Sequence, residues 1–103
     1  MVLPVLARKR RNSLEIKFDV LKVISLGVES PTRIMFASNL SWKPLMKILE
    51  ELLEKDLVRD VGGRRRRFVL TEKGRELLRK YEEIRRTLNE MRRAPWGQAG
   101  AEE

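Results

Sequence analysis

Between Leu26 and Trp42 the chain carries a rapid series of stop and start signals, leaving room for only one short helix between two longer ones. Gly27 can take the positive φ that ends a helix. Ser30-Pro31 reads as a new start: a capping side chain, then proline at the first helical position, where its missing N–H costs nothing. Asn39 tolerates the left-handed conformation and can end the segment. Ser41 then stands ready to cap a third helix, with Pro44 tolerated in its first turn. These signals predict a short helix over Thr32–Ser38, opened by Pro31, with Ile34, Met35 and Ala37 turned inward.

The flanking segments have helical periodicity. Leu14, Phe18, Leu21 and Ile24 fall on one face with Val20 beside it, predicting a helix over Ser13–Leu26, capped by Asn12 or Ser13. Leu45, Leu49 and Leu52, with Ile48 and Leu53, predict another over Trp42–Lys55. That third helix is basic at its start (Lys43, Lys47) and acidic towards its end (Glu50, Glu51, Glu54). The order opposes the helix dipole at a cost of tenths of a kcal/mol per charge, and it suits a helix start that meets phosphate.

Leu57–Val61 and Arg67–Leu70 read as two strands, with Gly62-Gly63 as a two-residue turn and the run Arg64–Arg67 at the tip and returning arm. Thr71 can cap a last helix over Glu72–Arg93, without a capping box because Gly74 stands where Glu is needed. Along it Leu77, Tyr81, Ile84, Leu88 and Met91 recur at spacings of 4, 3, 4 and 3, the repeat of a coiled-coil seam. An ordinary amphipathic helix packed on its own domain has a similar pattern. Three helices and a hairpin already occupy the core, which favours the seam as a dimer interface.

Helix, short helix, helix, hairpin, long helix is the order of a winged helix-turn-helix: mainly α with a small β-hairpin wing (α+β). With 103 residues there is room for one domain and a modest core. The expected division is an apolar and basic arm (1–12), the winged domain (13–71), the dimerisation helix (72–93) and a flexible tail (94–103). The apolar start Met1–Ala7 does not read as a secretory signal, because its positive charges follow it. Cys and His are both absent, which excludes disulfide scaffolds, Cys-based zinc fingers and thiol catalysis and removes the commonest acid-base group. No metal-ligand spacing, phosphate-binding loop or membrane-length apolar run occurs. The expectation is therefore no enzyme, cofactor, metal or small-molecule substrate, and a cytoplasmic location.

The net charge of +8 is unevenly placed. Arg8, Lys9, Arg10 and Arg11 form one cluster and Arg64, Arg65, Arg66 and Arg67 another, and together they equal the whole excess. Solvated surface charge is one reading. Four consecutive arginines repel one another unless an anion offsets them, which favours a polyanion partner.

"TRIMFASNLSWKPLMKILEELLEKDLV" (Thr32–Val58) followed by "FVLTEKGRELLRKYEEI" (Phe68–Ile84) resembles the archaeal 10a-type winged-helix DNA-binding proteins, first described from Sulfolobus. The resemblance covers about Ser13–Met91. It implies a small, basic, chromatin-associated or regulatory protein that binds duplex DNA and is associated with the nucleoid. It also implies a homodimer through an antiparallel coiled coil of the last helix, at Leu77, Tyr81, Ile84, Leu88 and Met91. Two departures are a short last helix and the basic arm.

On this reading the third helix enters the major groove start first. Ser41, Trp42, Lys43, Met46 and Lys47 lie on or near its exposed side, Arg33 lies on the helix crossing the backbone, and Arg64–Arg67 follow the backbone or a minor groove. The arm Arg8–Arg11 lies in a neighbouring minor groove. Trp42 has two roles open, stapling the helix start to the core or pressing on sugar or a thymine methyl; a partial core role is favoured. The alternative function is a winged-helix protein-interaction adaptor that binds no DNA. RNA binding is disfavoured, because the few aromatics form no stacking platform.

Overall fold

The computed structural model describes residues 11–93. The arm residues Arg8, Lys9 and Arg10 and the tail with Trp96 lie outside them. The chain runs α1 (Ser13–Ser25), α2 (Pro31–Ser38), α3 (Trp42–Glu54), β1 (Val58–Asp60), β2 (Phe68–Leu70) and α4 (Glu72–Arg93). This is the expected winged helix with a long last helix.

Each of the first three helices stops in the same way. Gly27 (φ 97°), Asn39 (φ 58°) and Asp56 (φ 60°) adopt the left-handed conformation just past the helix. The next residue then donates its N–H back five positions, Val28 to Val23 (3.4 Å), Leu40 to Met35 (3.1 Å) and Leu57 to Leu52 (2.8 Å). This arrangement satisfies carbonyls that the helix end would otherwise leave free. The starts of α1 and α2 are capped by side chains. The Asn12 side chain accepts from the Glu15 N–H (2.8 Å) while Glu15 accepts from that of Asn12 (3.3 Å), completing a capping box on α1. Ser30 accepts from the Arg33 N–H (3.3 Å) on α2.

The core gathers one face of every element. Phe18, Leu21 and Ile24 of α1 meet Ile34 of α2, Leu45, Leu49 and Leu52 of α3, and Phe68 and Leu70 of the hairpin. Two expected inward residues are not in it. Leu14 is 57% exposed, because it sits in the first turn of α1, beyond the end of the core. Ala37 is exposed, and Ser38, four residues after Ile34, takes the buried position instead. The Ser38 hydroxyl donates to the Ile34 carbonyl (2.6 Å), so this buried polar group is satisfied.

The strands pair antiparallel, Val58 with Leu70 and Asp60 with Phe68. Val61 donates its N–H to the Arg67 carbonyl (2.8 Å), so the wing loop spans residues 62–66 rather than the expected two-residue turn. The loop closes tightly: a Cβ on Gly62 would overlap the Arg65 carbonyl oxygen. The Phe68 N–H also donates to the Glu29 carbonyl (2.9 Å), fastening the α1–α2 connection to the hairpin.

At the start of α4 the buried Thr71 hydroxyl accepts from the Gly74 N–H (3.0 Å) and donates to the Asp56 carbonyl (2.7 Å). Gly74 lets α4 rest against the backbone of Leu57, since an added Cβ would overlap the Leu57 carbonyl oxygen. The absent capping-box Glu is thus a consequence of close packing. Further along, Leu78 is buried and Tyr81 stacks on Phe18, with ring centroids 3.8 Å apart. Burial raises the Tyr81 hydroxyl above its ordinary pKa, partly offset by Arg85. Beyond Glu82 the described side chains of α4 are exposed. No helix among the described residues is long and apolar enough to cross a membrane.

Candidate nucleic-acid interface

The start of α3 is open. Ser41 holds the capping backbone conformation, but its side chain makes no cap hydrogen bond. The first-turn N–H groups and the positive end of the dipole are left without that internal partner. Lys43 and Lys47, one turn apart, are exposed beside them. Trp42 is 48% exposed and takes no part in the core cluster, so the favoured partial-core role does not hold. Trp42 opens α3, three residues before Leu45, the first buried residue of that helix. Met46 departs in the opposite sense: it is half-buried and packs on the core, one position from Leu45.

The acidic half of α3 has partners within the fold. Glu51 pairs with Lys17 of α1 (3.0 Å), and Glu50 pairs with Arg66 of the wing (3.2 Å). The unfavourable dipole order of α3 is therefore offset by tertiary ion pairs, each worth up to about 1 kcal/mol at such exposure. Lys43 and Lys47 of the basic half make no ion pair among the described residues.

The wing divides the arginine run in two. Asp60 Oδ1 accepts from the N–H groups of Gly62 and Arg67, both at 3.1 Å, and Oδ2 accepts from Arg66 Nε at 3.0 Å. These bonds hold the Asp60 carboxyl below its usual pKa, the Arg66 hydrogen bond foremost. The Arg66 guanidinium also lies 5.1 Å from the centre of the Phe68 ring. Arg67 donates to Glu29 (3.0 Å). Arg64 and Arg65 are exposed and make no ion pair among the described residues.

Arg33 is exposed on α2, and Phe36, one turn later on the same outward side, is 73% exposed. Arg11 is folded onto the domain, pairing with Asp19 (2.7 Å) and donating to the Ser38 carbonyl (3.2 Å). In the expected seam, Tyr81 is used within the chain, whereas Leu77, Ile84, Leu88 and Met91 are exposed. Leu14, Tyr81, Ile84 and Leu88 line an open groove of about 460 Å³ between the start of α1 and α4.

Sequence reasoning missed Asp60 and Glu50. For Asp60 a signal existed, because Asp two residues before Gly at a loop is an Asx-turn pattern. For Glu50 there was none, since it finds its partner Arg66 across the fold.

A model of the family described as winged helix-turn-helix matches residues 10–89. The uncharacterized protein MJ0290 of Methanocaldococcus jannaschii is 34% identical over 79 residues, 77% of this chain and 36% of its own length. The uncharacterized protein MJ0287 of the same organism is 30% identical over 82 residues, 80% of this chain and 81% of its own. The chain thus spans about a third of one relative and most of the other. Among solved structures, a Listeria innocua protein of unknown function superposes with a TM-score of 0.68 (23% identity, 74% of this chain, 55% of that one). A MarR family transcriptional regulator from Silicibacter pomeroyi superposes at 0.61 (23%, 70% and 54%). Sso10a-2, a DNA-binding protein from Sulfolobus solfataricus, also superposes at 0.61 (23%, 80% and 90%). At these identities the superpositions bear on the fold, where the 10a-type resemblance holds.

Proposed function

The chain belongs to the winged helix-turn-helix family, and from that premise we propose that it is a homodimeric double-stranded DNA-binding protein, a transcription regulator or chromatin-associated protein. The observation that carries this reading is the separation of its positive charge. Lys43 and Lys47 stay exposed at the uncapped start of α3, and Arg64 and Arg65 stay exposed on the wing, while Arg66 and Arg67 of the same run are paired with acids. In a winged helix these are the elements that meet the major groove and the flanking backbone. Ser41 and the α3 N–H groups suit a phosphate, Lys43 and Lys47 reach phosphate or guanine edges, and Trp42 presses on sugar or a thymine methyl. Arg33 lies on the helix that crosses the backbone.

The names of two fold neighbours, a transcriptional regulator and a DNA-binding protein, agree with this reading. The exposed row Leu77, Ile84, Leu88 and Met91 supports a second copy packed antiparallel along α4. Two subunits then place their α3 helices in sites about one helical turn, roughly 34 Å, apart.

The test is fluorescence anisotropy of a labelled random-sequence duplex titrated with protein from low to high salt. Micromolar or tighter binding is expected, with log affinity falling linearly against log salt. Salt-insensitive behaviour, or no binding at low salt, overturns the proposal.

A further inference from the structure

Six polar contacts converge on the wing, and none is made by Arg64 or Arg65. Asp60 accepts from Gly62, Arg67 and Arg66. Arg66 donates onward to Glu50 of α3 (3.2 Å), and Arg67 to Glu29 of the α1–α2 connection (3.0 Å). Phe68 donates its backbone N–H to the same Glu29 (2.9 Å). Loops of this length are ordinarily mobile and held by few bonds. Here one carboxylate closes the loop from inside, and two of its arginines tie it to separate parts of the body.

We propose that Arg66 and Arg67 are braces rather than DNA contacts, and that Asp60 and Glu50 are positioning residues that present Arg64 and Arg65 to the phosphates at a fixed height beside α3. This deepens the DNA-binding reading and rests on it. The chemistry is specific in three respects. Both oxygens of Asp60 are engaged, so a neutral amide cannot reproduce the set: an Asn amide nitrogen would face the N–H donors or Arg66, where only an acceptor serves. Arg66 is shared between two acids and an aromatic face, so releasing it to a phosphate would leave Asp60 and Glu50 facing the polyanion unneutralised. The Arg66–Glu50 pair (3.2 Å) joins the wing to α3.

The sign of the effect separates positioning from simple electrostatics. Removing an acid beside a polyanion raises affinity if charge alone matters. If Asp60 positions the loop, Asp60→Asn lowers affinity despite making the protein more positive, by about fivefold, the loss that one ordinary hydrogen bond represents. Glu50→Gln acts in the same direction and less strongly, since Arg66 keeps Asp60. The measurement is duplex anisotropy at fixed salt for the parent chain, Asp60→Asn and Glu50→Gln, with melting followed by circular dichroism to establish that each is folded. Amide hydrogen exchange at Gly62 and Arg67 is followed without DNA in Asp60→Ala, which removes the Oδ1 acceptor that both share, and both amides are expected to lose protection. Equal or tighter DNA binding by Asp60→Asn, or unchanged exchange at those two amides in Asp60→Ala, overturns the positioning role. If the parent chain binds no duplex, the DNA-binding reading fails first, and the exchange result still decides whether Asp60 braces the loop.

Discussion

Replacing Gly74 by Ala in the first turn of α4 sets two effects of opposite sign against each other. In an exposed helical position the change is favourable, by up to about 1 kcal/mol from propensity. At this position a Cβ would lie 3.0 Å from the Leu57 carbonyl carbon, 3.3 Å from its Cα, and closer still to its oxygen. The obstacle is backbone, and it is fixed on both sides. The Leu57 carbonyl accepts from the Thr71 N–H (3.1 Å), and the Leu57 N–H donates to Leu52 (2.8 Å). Relief requires α4 to lift from the β1 entry, which loosens Leu78 and the Thr71 cap. Overpacking of this kind costs about 1–3 kcal/mol, and from its middle, about 2, less the propensity gain, the net expectation is a loss of about 1–2 kcal/mol. For a domain of this size that lowers Tm by roughly 5–15 °C. The assay is urea denaturation followed by circular dichroism at one fixed protein concentration, since association would otherwise shift the midpoint. Gly63→Ala is the control, because a Cβ there meets nothing within 4 Å. A Gly74→Ala chain as stable as the parent would falsify the close-packing account of this glycine.

Replacing Arg64 and Arg65 together by Ala is expected to flatten the slope of log affinity against log salt by about 2 per subunit, one phosphate contact each; an unchanged slope removes the wing tip from the interface. Leu88→Glu places a charge in the exposed row of α4, and sedimentation velocity should then find monomers; a dimer that survives means the subunits meet elsewhere. The Asp60 carboxyl is held below its usual pKa, so the unfolded chain takes up its proton first on acidification. Its stabilising contribution is therefore present above the unfolded value near 3.8 and lost as pH falls through the lower folded value. Denaturation midpoints should accordingly fall less steeply with acid in Asp60→Asn than in the parent, and parallel pH profiles would remove Asp60 as a contributor.

Much of this architecture was legible in the order of residues because its signals are local. Gly27, Ser30-Pro31 and Asn39 act through their own backbone preferences, and the structure ends and starts helices at those points. The 4-3-4-3 row on α4 was equally local, and it predicted a continuous helix over Glu72–Arg93, as observed. Asp56 was missed as a helix stop because Asp adopts the left-handed conformation less routinely than Gly.

What the tertiary structure decided is which members of each charged or apolar set are already used. The run Arg64–Arg67 is four identical residues in sequence, yet Arg66 and Arg67 are spent on Asp60, Glu50 and Glu29, which lie 6 to 38 positions away along the chain. Tyr81 belongs to the same row as Leu88, yet only Tyr81 finds a ring to stack on. Gly74 looked like a missing cap, and its meaning came from Leu57, seventeen residues earlier. The physical reason is common to all three. Backbone preference and periodicity are properties of neighbouring residues, so sequence determines where elements begin, end and turn their apolar faces. Ion pairs, stacking and steric fit depend on which distant groups the packing brings within a few ångströms, and only the folded chain supplies those distances.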